Sequence, residues 1–360
     1  MRKPHLKACV AITAALFLFV GTCAAQDYWV CTTDERAGTV TIIDGQSRQV
    51  VATVRVGKRP RGLHPSPDGR LLYIAQSGVA IAGPPAERGG KDGAKGGKGA
   101  KEAPDDDDKN ADRSADGVGV VDVREKKFVK LLPAGRDPEE LAVSADGSRL
   151  YVSNEDASAA SVIDTQAGKV LQTIKVKVEP EGVRITPDGK LVYVTSETDG
   201  ALSIISTETN KVVRTVTVGG RPRTVSFLPD GSKAFVPSET EGKVRVLDTH
   251  TYNIEDTLQL PEGSRPMGTA VSADGKKLYV TNGRGGTVSV IDTSTHKLAN
   301  TIKAGTRPWG LVISPDGKLL YTANGPSNDL SVIDLATEKE VGRIPAGEGP
   351  WGVTIVPAPK

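Results

Sequence analysis

A proline recurs at Pro60, Pro138, Pro180, Pro222, Pro266, Pro308 and Pro350, each inside a stretch of the form G-x-R-P-x-G or a variant of it. The successive spacings are 78, 42, 42, 44, 42 and 42. A period of 40–45 residues that carries four short strands is the mark of a propeller blade. The first spacing exceeds the common one by 36 residues. Once that excess and the N-terminal leader described below are set aside, about 43 residues remain for each of seven repeats.

Each repeat reads in one order. The proline loop leads into a strand such as Leu311–Ser314, then into Pro-Asp-Gly (67–69, 187–189, 229–231, 315–317) or Ala-Asp-Gly (145–147, 273–275). A second strand follows ("LYVSN", "LVYVTS", "LLYTAN"), then a polar loop, a third strand ("TVSVID", "LSVID"), a turn and a fourth strand. Alternating Val/Ile/Leu runs recur throughout, and no long apolar pattern has the helical period, so the chain is expected to be all-β. The Asp-Gly pairs are turn chemistry: Asp bonds nearby backbone and Gly takes the left-handed position. No run supplies the alternating oxygens of a calcium loop.

The last repeat stops after one strand, "PWGVTIVPAPK", whereas the chain's first strands, "YWVCTT", "TVTIID" and "QVVATVRVG", lack one. Together the two ends complete a blade. The expected fold is a seven-bladed β-propeller of four-stranded antiparallel blades, closed by N- and C-terminal strands that share a blade. Either Trp29 or Cys31 takes the place of the repeated tyrosine in that blade.

Residues 1–25 read as a signal peptide. A basic head, MRKPHLK, precedes the apolar run ACVAITAALFLFVG and the small residues Cys23-Ala24-Ala25. The run is short for a membrane span, and Thr22 argues against a lipidated Cys23. The expected product is residues 26–360, a single domain that is exported to the periplasm or secreted, is monomeric and is not inserted in a membrane. Cys31 is then the one cysteine left, a small half-buried strand residue that can form no internal disulfide. Residues 81–116, rich in Gly, Lys, Asp and Ala, account for the 36-residue excess and read as a disordered insert in one blade. Formal net charge is +2 over 360 residues, so bulk charge points to no nucleic acid.

The tetrads "YVSN" (151–154), "YVTS" (193–196), "YVTN" (279–282) and "YTAN" (321–324) resemble the signature of the YVTN family of β-propeller repeat proteins. "GKRPRG", "YVSNED", "VEPEGVRITPDG" and "NGPSNDLSVIDLATEKEV" are similar, more closely, to the propellers associated with PQQ-dependent catabolism. The resemblance implies the fold and an accessory role in quinoprotein-dependent oxidation. It implies no bound cofactor, since the tryptophan-docking repeats of quinoprotein dehydrogenases are not evident.

In such blades the loops before strand one and between strands two and three share one face, where scaffold repeats and loops vary. Candidate binding residues flank the prolines. Before them stand Arg59, Asp137, Glu179, Arg221, Arg265, Arg307 and Gly349; after them stand Arg61, Glu139, Glu181, Arg223, Met267, Trp309 and Trp351. Two adjacent repeats are thus acidic, reinforced by Glu140, Glu155, Asp156 and Glu197. The others are basic or apolar, with Met267, Trp309 and Trp351 on three consecutive repeats. Such a mouth suits an anionic small ligand or a periplasmic partner protein. The other reading of the same residues is structural: arginines pair with neighbouring glutamates and the tryptophans plug the channel. His64 is the histidine placed to face the channel, whereas His250 and His296 fall in turns on the opposite face. No metal, haem or nucleophile set is expected from them. The chain is expected to be non-catalytic. The alternative is a lactonase- or lyase-like enzyme using the acids and His64 at the channel mouth.

Overall fold

The computed structural model describes residues 27–81 and 111–359. Seven four-stranded antiparallel sheets form the ring. The innermost strands of blades 1 to 7 are Pro60–Pro65, Pro138–Val143, Pro180–Ile185, Ser226–Phe227, Pro266–Val271, Pro308–Ile313 and Pro350–Pro357. Blade 7 is the shared one. Pro350–Pro357 pairs with Tyr28–Asp34, followed outward by Thr39–Asp44 and Val50–Arg55. In this blade Cys31 lies opposite Thr354, as Tyr151 lies opposite Ala142, so Cys31 and not Trp29 takes the tyrosine's place. It is fully enclosed rather than half-buried, and burial pushes its thiol up to about 12.

The core lies between blades. Tyr73, Val118 and Val120 of blade 1 pack on Leu141, Leu150 and Val152 of blade 2, and the other interfaces repeat this arrangement. The period-2 alternation of each strand aims one face at each neighbouring blade. Tyr28 and Tyr321 close the last interface with a hydroxyl contact of 2.8 Å. Blade 4 departs from the pattern. Its inner strand shrinks to Ser226–Phe227 because Pro237 stands on the adjacent strand. The Pro237 carbonyl accepts from Arg223 N at 3.4 Å, but proline has no N–H to return.

Hydroxyls in the third tetrad position stitch the inner ring. Thr281 Oγ1 accepts from Gly268 N at 2.8 Å and donates to Trp309 O, in the next blade, at 2.6 Å. Thr33 and Ser153 make the equivalent bonds to Arg61 O and Glu181 O. Blades approach this closely because glycine precedes the channel-lining residues. A Cβ on Gly268 would lie 2.5 Å from Trp309 O.

The fourth tetrad position is buried in every blade. Asn154, Asn282 and Asn324 each donate to a serine of the third strand at 2.9–3.0 Å. Asp34 replaces Asn in blade 7 and accepts from Thr41 at 2.6 Å, Thr39 at 2.8 Å and Gly347 N at 3.1 Å. Burial outweighs these bonds and pushes its carboxyl up to about 6 from 3.8. A raised carboxyl pKa favours the protonated native state, so this contribution is full below pH 4 and is lost as pH rises through 6. Asp34→Asn should therefore stabilise the protein at pH 8 by about 1–3 kcal/mol and change little at pH 4. Denaturant unfolding at the two pH values checks this; an equal effect at both would contradict it.

The signal-peptide reading and most of the insert, 82–110, lie outside the described residues. Residues 111–116, read as part of the insert, belong to the blade. Asp112 N donates to Gly78 O at 2.9 Å, Gly78 N donates to Asp116 Oδ1 at 2.7 Å, and Arg113 reaches Asp156 of blade 2. The segment thus leaves from a closed stem on the loop-rich face. Among the described residues no helix is long and apolar enough to cross a membrane.

Candidate functional site

The residue before each repeat proline has a left-handed backbone, with φ from 41° at Arg59 to 72° at Gly349. Six of the seven are not glycine, and a proline normally drives its predecessor to extended geometry. The bend is held by its carbonyl. Asp137 O accepts from Glu155 N at 2.9 Å, Glu179 O from Glu197 N at 2.8 Å, Arg221 O from Glu239 N at 3.0 Å and Gly349 O from Glu35 N at 2.8 Å. Each of these bonds brings a glutamate, the residue just after the second strand, beside the side chains that flank the proline. Glu35 and Glu239 were not among the sequence candidates, though they occupy the same position as Glu155 and Glu197.

This construction interlocks the charges. Arg59 lies 3.1 Å from Glu35 and 3.6 Å from Asp137; Arg61 lies 3.0 Å from Glu35 and pairs with Glu139. Arg221 reaches Glu197 at 2.6 Å. Arg223 is the centre of a second cluster, 2.6 Å from both Glu181 and Glu239 and paired with Glu197. These four arginines therefore pair with neighbouring acids, as the structural reading of the sequence has it, rather than forming a free basic lobe. Glu179 accepts from Thr198 Oγ1.

Like charges remain in excess around blades 2 and 3. Burial, then Glu181, Asp137 and Glu179, push the Glu155 carboxyl well above the usual range. Burial and Glu197 do the same to Glu181. Burial also works to raise Glu239, but Arg223 and Arg221 outweigh it and hold the carboxyl low. Asp137, Glu139 and Glu155 each bring one oxygen within 4.8 Å of the others, a spacing that a divalent cation can bridge. Arg59 and Arg61 already lean on that carboxylate set.

The other side of the mouth is aromatic. The Trp309 and Trp351 rings stack with centroids 5.6 Å apart and planes 29° apart. The guanidinium of Arg307 sits 5.1 Å from the Trp309 centroid and that of Arg223 5.7 Å. Met267 is buried beneath them, while both indoles remain partly exposed. Arg265 bears electrostatically on Glu239. Below the rim, Glu140, Glu181, Arg184, Trp309 and Trp351 help to line a cavity of about 70 Å³. His64 does not join the acids at the mouth. It lies deeper, in a second cavity that also contains Arg184. Burial first, and Arg184 second, push its imidazole down to about 4.

The chain matches the YNCE-like beta-propeller model over residues 111–234 and the cytochrome D1 heme domain model over residues 233–352. The second stretch carries His250 and His296, both in turns away from the mouth, with His296 Nδ1 bound to Asp256 at 2.8 Å. These residues do not fit a haem site, and the similarity is one of fold. No curated protein matches the chain. Among solved structures, the hydrazine synthase of Kuenenia stuttgartiensis is 22% identical, with 83% of this chain and 95% of that one covered and a TM-score of 0.66. A proposed 6-phosphogluconolactonase from Bacteroides uniformis is 18% identical, with 92% and 100% covered and a TM-score of 0.72. A second, from Bacteroides fragilis, is 18% identical, with 93% and 99% covered and a TM-score of 0.71. Identities this low carry the fold and not the activity. The chain is a seven-bladed β-propeller repeat protein, similar in adjoining stretches to the YNCE-like propeller and to the cytochrome d1 haem domain.

Proposed function

We propose that this is an exported, non-catalytic propeller that docks a partner protein on its loop-rich face, as an accessory to periplasmic quinoprotein (PQQ)-dependent oxidation. The observation that carries the docking reading is the partly exposed Trp309–Trp351 stack. The two indoles and the guanidinium of Arg307 over Trp309 form an amphipathic patch of the composition found at binding hot spots. The assignment to quinoprotein oxidation rests on the repeat resemblance.

Immobilised residues 26–360 should retain a specific protein from periplasmic extract. Trp309→Ala should weaken that capture at least about tenfold, as loss of a buried aromatic anchor does, with the fold intact by circular dichroism. Undiminished capture by both Trp309→Ala and Trp351→Ala would move the docking site elsewhere. A second reading is a lactonase-like enzyme, favoured by the convergence of Asp137, Glu139 and Glu155. Hydrolysis of sugar lactones that is lost in Glu139→Gln would select it.

A further inference from the structure

We infer that the lower half of the central channel binds a small oxyanion, a carboxylate or phosphate group, between Arg184 and His64. The inner strands run from the mouth toward the opposite face, and the fourth residue after each repeat proline lies opposite the repeated tyrosine or its substitute. His64 pairs with Tyr73, Ala142 with Tyr151, Arg184 with Tyr193, Ser226 with Phe235, Ala270 with Tyr279, Val312 with Tyr321 and Thr354 with Cys31. These residues form one ring around the axis. Thr354, His64, Arg184 and Ser226 put four polar side chains on five consecutive blades, with Ala142 among them; Ala270 and Val312 are apolar.

The cavity at this level has a volume of about 340 Å³, and none of its lining residues is acidic. Two of the lining residues carry a buried polar atom with no hydrogen-bond partner, His64 Nδ1 and Thr269 Oγ1. Buried polar atoms are rarely left in that state. The Arg184 side chain is one-third exposed. Its Nη1 donates to Val183 O at 2.8 Å, and the nearest carboxylate, Glu140, approaches from the mouth side at 3.5 Å. Burial pushes the His64 imidazole down to about 4, so at pH 7 it adds no charge to the cavity. A guanidinium, an imidazole and hydroxyls around an acid-free cavity match an oxyanion. The wall formed by Val271, Val312 and Ile313 accommodates a short apolar tail if the group is a carboxylate. Neither Trp309 nor Trp351 lines this cavity, so the inference does not rest on the docking reading above.

Calorimetric titration of residues 26–360 with sodium phosphate, acetate and butyrate, against sodium chloride at equal ionic strength, tests this. At least one oxyanion should bind saturably with a Kd below about 10 mM. Arg184→Gln should weaken it about tenfold or more, and His64→Ala severalfold. Glu140→Gln should strengthen it, because the competing carboxylate is gone. Butyrate binding tighter than phosphate assigns an organic acid, and the reverse assigns phosphate. The inference is overturned if no oxyanion binds saturably, or if folded Arg184→Gln and Glu140→Gln proteins bind like the wild type.

Discussion

A chain ending at Gly349 is expected to lose cooperative unfolding altogether. The missing strand, Pro350–Pro357, is the inner strand of blade 7 and pairs with Tyr28–Asp34 from Tyr28↔Pro357 to Asp34↔Pro350. Its removal breaks the bonds of Gly352 with Thr32 at 2.8 Å and with Thr33 at 3.0 Å. It also strips Val356 from a cluster that contains Trp29, Cys31, Val40 and Leu72. Blade 7 would keep three strands and gain an unpaired edge at the centre of the ring. The loss exceeds the usual net stability of a domain, roughly 5–15 kcal/mol. Thermal unfolding followed by circular dichroism should show a broad, early transition or insoluble protein. A sharp transition at the wild-type temperature would mean that the ring does not depend on this closure.

Blade number and ring closure were legible because they rest on spacing alone. Seven prolines about 42 residues apart fix the count, and a terminal strand missing at one end and present at the other fixes the closure. The left-handed residue before each proline was not legible. Arg, Asp and Glu occupy that position, none of them signals positive φ, and only Gly349 hints at it. Charge pairing was legible as a list of signs per blade but not as partners. Which arginine meets which acid depends on the bend and on the loop after the second strand, which carries Glu35, Glu155, Glu197 and Glu239 inward. Glu35 was hidden by the split blade, where the tetrad reads Cys-Thr-Thr-Asp. Glu239 was hidden where Pro237 interrupts the pattern. His64 lines the second cavity, and its depth follows from its pairing with Tyr73, which sets it below the acids.

The charge cluster that the sequence left unresolved yields the second large effect. Arg223→Met should destabilise the protein by about 3–5 kcal/mol at pH 7.5. The Arg223 side chain is 9% exposed and touches Glu181, Glu197 and Glu239, themselves buried. Burial works against its charge, but these three carboxylates outweigh burial and hold the guanidinium protonated. Methionine fills much of the volume and still packs beside Trp309, so the loss is chiefly electrostatic. The variant leaves these carboxylates in a low-dielectric pocket with Arg221, and more weakly Arg265, as the neighbouring cations. Each would then be pushed toward its protonated form, the direction in which burial and Glu197 already move Glu181. Carboxyls with raised native pKa values favour folding at low pH and oppose it as pH rises, so the deficit of Arg223→Met should shrink between pH 7.5 and pH 5. Urea unfolding at both pH values measures this. Adding Glu197→Gln and Glu239→Gln to Arg223→Met should recover at least half of the loss at pH 7.5, since the unpaired charges are then removed. A deficit that is the same at both pH values, or that the glutamine substitutions do not relieve, would show that Arg223 contributes by packing and not by neutralising this cluster.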